Sequence, residues 1–94
     1  MIEYEELKRH EEVFIAEILK RKGLSGRKIL ARVSVTKIAK VVERPYVMVS
    51  IKWPDTTTNG FSKQCTYAPI KDSWNEETGI KIAMSRAIRN YIED

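Results

Sequence analysis

Apolar positions recur at helical spacing near both ends of the chain and alternate with polar ones in between. Leu7, Phe14, Ile15, Ile18 and Leu19 fall on one broad face, which predicts a helix over residues 3–22. Glu3, Glu5 and Glu6 at its start and Lys20, Arg21 and Lys22 at its end suit the helix dipole, and Gly23 supplies a stop. Ile80, Ala83, Met84, Ala87, Ile88, Tyr91 and Ile92 follow the i, i+3, i+4, i+7 rule and predict a second helix. It opens at Asp72-Ser73, with Ser73 and Glu76 in capping-box spacing.

Between the helices the period drops to two. Ile29, Ala31, Val33, Val35, Ala39 and Val41 point one way, and Lys28, Arg32, Ser34, Thr36 and Lys40 the other. This predicts a half-buried strand over 28–42 with a basic wet face, interrupted near Lys37, and then a turn at Glu43-Arg44-Pro45. A second strand, Tyr46 to Trp53, has Val47, Val49, Ile51 and Trp53 inward and Tyr46, Met48, Ser50 and Lys52 outward. Pro54 to Gly60 reads as a hairpin loop. A third strand, Phe61 to Tyr67, has Phe61, Cys65 and Tyr67 inward and Ser62, Gln64 and Thr66 outward, with Lys63 spoiling the inward set. The expected fold is α+β: helix, three-stranded antiparallel sheet, helix (αβββα), in a single domain over 1–94, with both helices on one sheet face.

Charge adds what periodicity cannot. Residues 1–44 hold 11 Lys+Arg and 7 Asp+Glu, whereas residues 45–94 hold 6 of each, so the whole net charge of +4 lies in the first half. From Lys20 to Lys40 the chain has Lys20, Arg21, Lys22, Arg27, Lys28, Arg32, Lys37 and Lys40 and no carboxylate. A field of that kind attracts polyanions or acidic protein surfaces. The glycine and lysine spacing of a P-loop is absent.

Other chemistry is sparse. The lone Cys65 forms no internal disulfide and reads as a core residue, and His10 reads as a helix-boundary residue. One Cys and one His make no usual metal cluster, so neither a metal nor a cofactor is expected. Asp72, Glu76 and Glu77 serve capping better than acid–base work. No apolar run reaches the length of a membrane span, and the acidic start lacks a secretion pattern, which predicts a cytoplasmic protein.

Gly79-Ile80-Lys81-Ile82-Ala83-Met84-Ser85-Arg86-Ala87-Ile88 fits G-x-x-[IL]-A-x-x-R-A-[IL], preceded by Ser62, Cys65, Pro69, Asp72 and Trp74. This resembles short phage and prophage proteins, and small bacterial proteins similar in fold to the double-stranded-RNA-binding domain. The resemblance implies a phage or prophage origin and a bacterial host cell. The domain's lysine motif K-K-x-A-K, placed on Ala83, reads Ile80, Lys81 and Met84 here, and its histidine loop reads Glu43-Arg44-Pro45.

The function expected from the sequence is therefore that of a non-enzymatic phage-type accessory protein binding nucleic acid through residues 20–40. The alternative is a phage inhibitor that docks on a host defence or nucleic-acid-processing protein, in the manner of an anti-CRISPR. The binding candidates are Lys20, Arg21, Lys22, Arg27, Lys28, Arg32, Lys40, Tyr46 and Lys52. A homodimer formed through sheet edges or through Tyr46 and Met48 is a further alternative.

Overall fold

A computed structural model describes residues 3–63 and 76–93. The expectations for Cys65, Ser73 and Trp74 fall outside these residues. The element order is β1 (Glu5–Glu6), α1 (Arg9–Arg21), α2 (Gly26–Val33), β2 (Lys37–Glu43), β3 (Tyr46–Lys52), β4 (Thr57–Lys63) and α3 (Glu76–Glu93). The α+β class holds, but the sheet has four antiparallel strands in the order β1-β2-β3-β4, and three helices accompany it.

The extra strand comes from the segment expected to begin the first helix. Glu5 and Glu6 pair with Ile38 and Lys37, and α1 starts only at Arg9. Its first turn carries Glu11 and Glu12 rather than Glu3, Glu5 and Glu6. At the other end of α1 the Gly23 N–H donates to Lys20 O (3.0 Å) and the Leu24 N–H to Leu19 O (3.3 Å). With Gly23 at φ +94°, this is a Schellman stop, and Leu24 packs on the core that contains Leu19.

The extra helix replaces the first half of the expected 28–42 strand. Ser25 caps α2: its carbonyl accepts from the Ile29 N–H (3.0 Å) and its hydroxyl from the Lys28 N–H (3.4 Å). Ile29 and Val33 stand one turn apart, so they satisfy a helical face as well as an alternating one. Period two and period 3.6 are hard to separate over so short a stretch, and the cap decides for the helix. Thr36, expected on the wet side, is buried, with its hydroxyl donating to Arg32 O (2.5 Å).

The register of β2 on β3 then sets the facing of every side chain. Ile38 lies opposite Ile51, Lys40 opposite Val49 and Val42 opposite Val47. Directly opposed residues share a face, so Lys40 points toward the helices and not to the wet side. The expected inward set of β3 holds: Val47, Val49, Ile51 and Trp53 are all buried.

In β4 Phe61 and Ser62 exchange their expected sides, the expected positions of Gln64, Thr66 and Tyr67 lying outside the described residues, and the strand begins four residues earlier, at Thr57, inside the expected loop. Thr58, Gly60 and Ser62 face the helices, while Phe61 is 59% exposed on the outer face. The inward residues are small because α3 lies almost on the strand. A Cβ at Gly60 would overlap the Ala83 carbonyl oxygen and sit 2.5 Å from Ala87 N. Thr58 Oγ1 donates to Ala87 O (2.7 Å) and Ser62 Oγ to Gly79 O (2.8 Å). Gly79, Ala83 and Ala87, one turn apart each, thus face Ser62, Gly60 and Thr58 along one seam. Arg86 and Asn90 donate to the carbonyls of Phe61 (2.5 Å) and Asn59 (2.7 Å) on the same strand.

The core lies between sheet and helices: Ile15 and Leu19 from α1, Ile29 from α2, the β3 set, and Ala83, Met84, Ala87 and Ile88 from α3. Both expected helix faces therefore pack on one side of the sheet.

Candidate functional site

The candidate cations divide among three places. Lys20, Arg21 and Lys22 end α1, and Arg27, Lys28 and Arg32 lie on the α2 that follows and packs against it. The tight turn at Gly23 brings α2 back against α1, so six cations lie at the end of one helix and on the next helix packed against it. Lys20, Arg21, Lys22, Arg27 and Lys28 are exposed, and none of the six pairs with a carboxylate of the described residues.

Arg32 is tied to the fold. Its guanidinium sits 5.4 Å from the centroid of Tyr91, which stacks on Trp53 at 4.0 Å and 10°. The Tyr91 hydroxyl donates to Asp55 Oδ1 (3.1 Å). This three-layer stack joins α2, α3 and the end of β3 and leaves Arg32 half-buried. Its first role is therefore to fix the position of α2.

Lys40 is not part of the corner. Its Nζ lies 2.6 Å from Glu11 Oε2, and the Glu11 side chain is 3% exposed. Glu11 Oε1 accepts the Lys8 N–H at 2.8 Å, closing half of a capping box at the start of α1. Burial alone would raise the Glu11 pKa, but the Lys40 ammonium, the Lys8 N–H and the charge of His10 together bring it below the ordinary 4.5.

Tyr46 and Lys52 lie on the outer sheet face, at opposite ends of β3 and on the far side of the sheet from the helices. Lys63 approaches the Tyr46 ring at 5.4 Å and Lys52 the Tyr4 ring at 5.7 Å. Ser50 shares this face but is buried, because the Tyr4 hydroxyl reaches across β2 to its Oγ (2.8 Å).

Arg89 joins the corner from α3. A groove of about 550 Å³ between α1 and α3 is lined by Phe14, Glu17, Ile18, Arg21, Lys22, Ser85 and Arg89. The signal for Arg89 was present in the α3 pattern: it follows Ser85 by one turn, on the flank of the apolar face. Placing it beside Arg21 requires the packing of α1 on α3. One acid, Glu17, stands in this groove against three cations.

A second groove of about 510 Å³ includes Glu11, Lys40, Phe14, Ile80 and Met84 in its lining. Glu11 is already engaged there by Lys8 and Lys40. Among the described residues no group of three or more His, Cys, Asp or Glu is placed to hold a metal, and no helix is long and apolar enough to cross a membrane. No family profile, no curated protein and no solved structure matches this chain.

Proposed function

We propose that the chain is a non-enzymatic accessory protein of phage type that binds nucleic acid through the α1–α2 corner. Lys20, Arg21, Lys22, Arg27, Lys28 and Arg89 contact phosphates, and Arg32 holds α2 in place. One observation carries this reading: five exposed cations on two consecutive helices, in a stretch with no carboxylate between Glu17 and Glu43, and with no ion pair to a described acid. Phosphate contact of this kind is independent of sequence and depends on counterion release. Lys40, Tyr46 and Lys52 are not part of this surface.

Fluorescence anisotropy with a labelled duplex, read over a salt series, tests the proposal. Six phosphate contacts give a slope of log K against log salt of about −5.4. Arg21→Gln with Lys22→Gln brings it to about −3.6, while Lys52→Gln on the opposite face leaves it unchanged. Absence of binding at low salt, or a slope indifferent to the paired change, overturns the proposal. Absence of duplex binding together with a nuclease-resistant protein partner held by the same cations gives the site to an acidic protein surface instead.

A further inference from the structure

The outer face of the sheet is built in cross-strand rows. Glu43, Tyr46 and Lys63 form the row nearest the β2–β3 turn. Val41, Met48 and Phe61 form the next, followed by Ala39, Ser50 and Asn59, with Tyr4 covering Ala39 and Ser50 from the β1 side. The first two rows expose Phe61 by 59%, Tyr46 by 54% and Val41 by 37%. No helix of the described residues covers them, since all three pack on the other side. An apolar patch with charged margins marks a contact surface.

We propose that a second copy of this chain occupies the face, through a two-fold axis lying in the interface and parallel to β3. Such an axis sets β2 of one copy over β4 of the other and keeps each row in register with itself. Met48 then meets Met48 and Tyr46 meets Tyr46. Phe61, the largest projection, meets Val41, the smallest side chain of its row. Glu43 meets Lys63 at both ends of the first row. Within one copy these two side chains stand two strands apart, about 9.6 Å, and do not pair, since Lys63 lies over the intervening Tyr46 ring; across the axis the charges are complementary. Stacked sheets cross at about 30°, which carries the Lys52 ends apart.

Size sets the strength. Three strands of seven residues present a footprint of about 14 by 24 Å, roughly 340 Å² before side-chain relief. A standard interface buries about 800 Å² per partner. The dimer is therefore a weak one, at the low end of interface sizes. The inference is independent of nucleic-acid binding, but the two readings fit together: dimerisation through the sheet leaves both α1–α2 corners exposed on opposite sides.

Sedimentation equilibrium on nuclease-treated protein, from about 5 μM to about 1 mM, tests the proposal. The expected result is a monomer–dimer equilibrium that Phe61→Glu weakens more than tenfold at unchanged circular dichroism. Glu43→Lys and Lys63→Glu each weaken it about three- to tenfold, and the double exchange restores it to within about twofold of the parent. That restoration follows only if the two positions face each other across the axis. A chain monomeric at about 1 mM overturns the proposal, as does a double exchange no better than its single changes. Oligonucleotide binding lost in Phe61→Glu at concentrations where the parent is monomeric would also overturn it, giving the face to stacked bases.

Discussion

Gly60→Ala is the sharpest test of how this fold is held together. The added methyl would overlap the Ala83 carbonyl oxygen and stand 2.5 Å from Ala87 N and 2.9 Å from the Ala83 carbonyl carbon, all backbone atoms. Such contacts are not found below 3.0 Å, and no rotamer change relieves a clash with helical backbone. The helix must therefore leave the strand by more than about 1 Å, in an interior packed too densely to absorb it. That movement stretches the Thr58–Ala87 and Ser62–Gly79 bonds, now 2.7 and 2.8 Å, beyond useful range. Overpacking costs about 1–3 kcal/mol and two lost hydrogen bonds about 1 kcal/mol each, giving about 4 kcal/mol in total. A domain of this size has a total stability of about 5–14 kcal/mol, so the change removes a large share of it and lowers Tm by about 16–32 °C. Urea titration followed by tryptophan fluorescence measures it. Gly26→Ala is the control: nothing lies within 4 Å of its added methyl, and it changes stability by no more than about 1 kcal/mol, toward greater stability. Gly60→Ala within about 0.5 kcal/mol of the parent would show that α3 does not lie on β4 as described.

Two further changes probe the polar contacts inside the fold. Glu11→Gln keeps an acceptor for the Lys8 N–H but leaves Lys40 unpaired, at a cost of about 2 kcal/mol near neutral pH. The folded pKa of Glu11 is lowered, so its stabilisation is complete above the unfolded value and disappears as pH falls through the folded one. The gap between parent and Glu11→Gln in denaturation midpoint should therefore begin to narrow as pH falls past the unfolded glutamate value of about 4.3 and vanish below the folded one; a gap independent of pH would refute the charge pairing. Thr58→Val removes the acceptor of the Trp53 Nε1–H (2.8 Å) and the donor to Ala87 O together. It should cost about 2 kcal/mol, and Thr58→Ser should recover most of it in the same titration.

The parts of the fold that the sequence disclosed are those where burial selects large apolar side chains. Val47, Val49, Ile51 and Trp53 alternate because β3 is central and one face meets the helices. The α3 stripe from Ile80 to Ile92 was equally plain. β4 was misread because its inward face follows another rule. Close approach of α3 requires Thr58, Gly60 and Ser62, which carry no hydrophobic signal, and it leaves Phe61 outside as the one large apolar residue. The Asn59-Gly60 pair looked like a turn because glycine serves a turn and a close backbone contact equally well. β1 was hidden because a two-residue edge strand needs no pattern of its own.

The candidate site was legible as a count of charges but not as a shape. A run of cations on one long strand would spread over about 3.4 Å per residue, with alternate side chains on opposite faces. Folding 9–33 as two helices around Gly23 shortens that path and puts Lys20, Arg21 and Lys22 at the end of a helix that packs against the one carrying Arg27 and Lys28. The same packing recruits Arg89, more than sixty residues further along, and withdraws Lys40 into a buried pair. What decides the fate of Lys40 is the parity of β2 against β3. Moving Lys40 by one position would return it to the outer face and leave Glu11 buried without a counter-charge. The register that places Val49 opposite Lys40 therefore supplies the counter-charge for Glu11 at the start of α1.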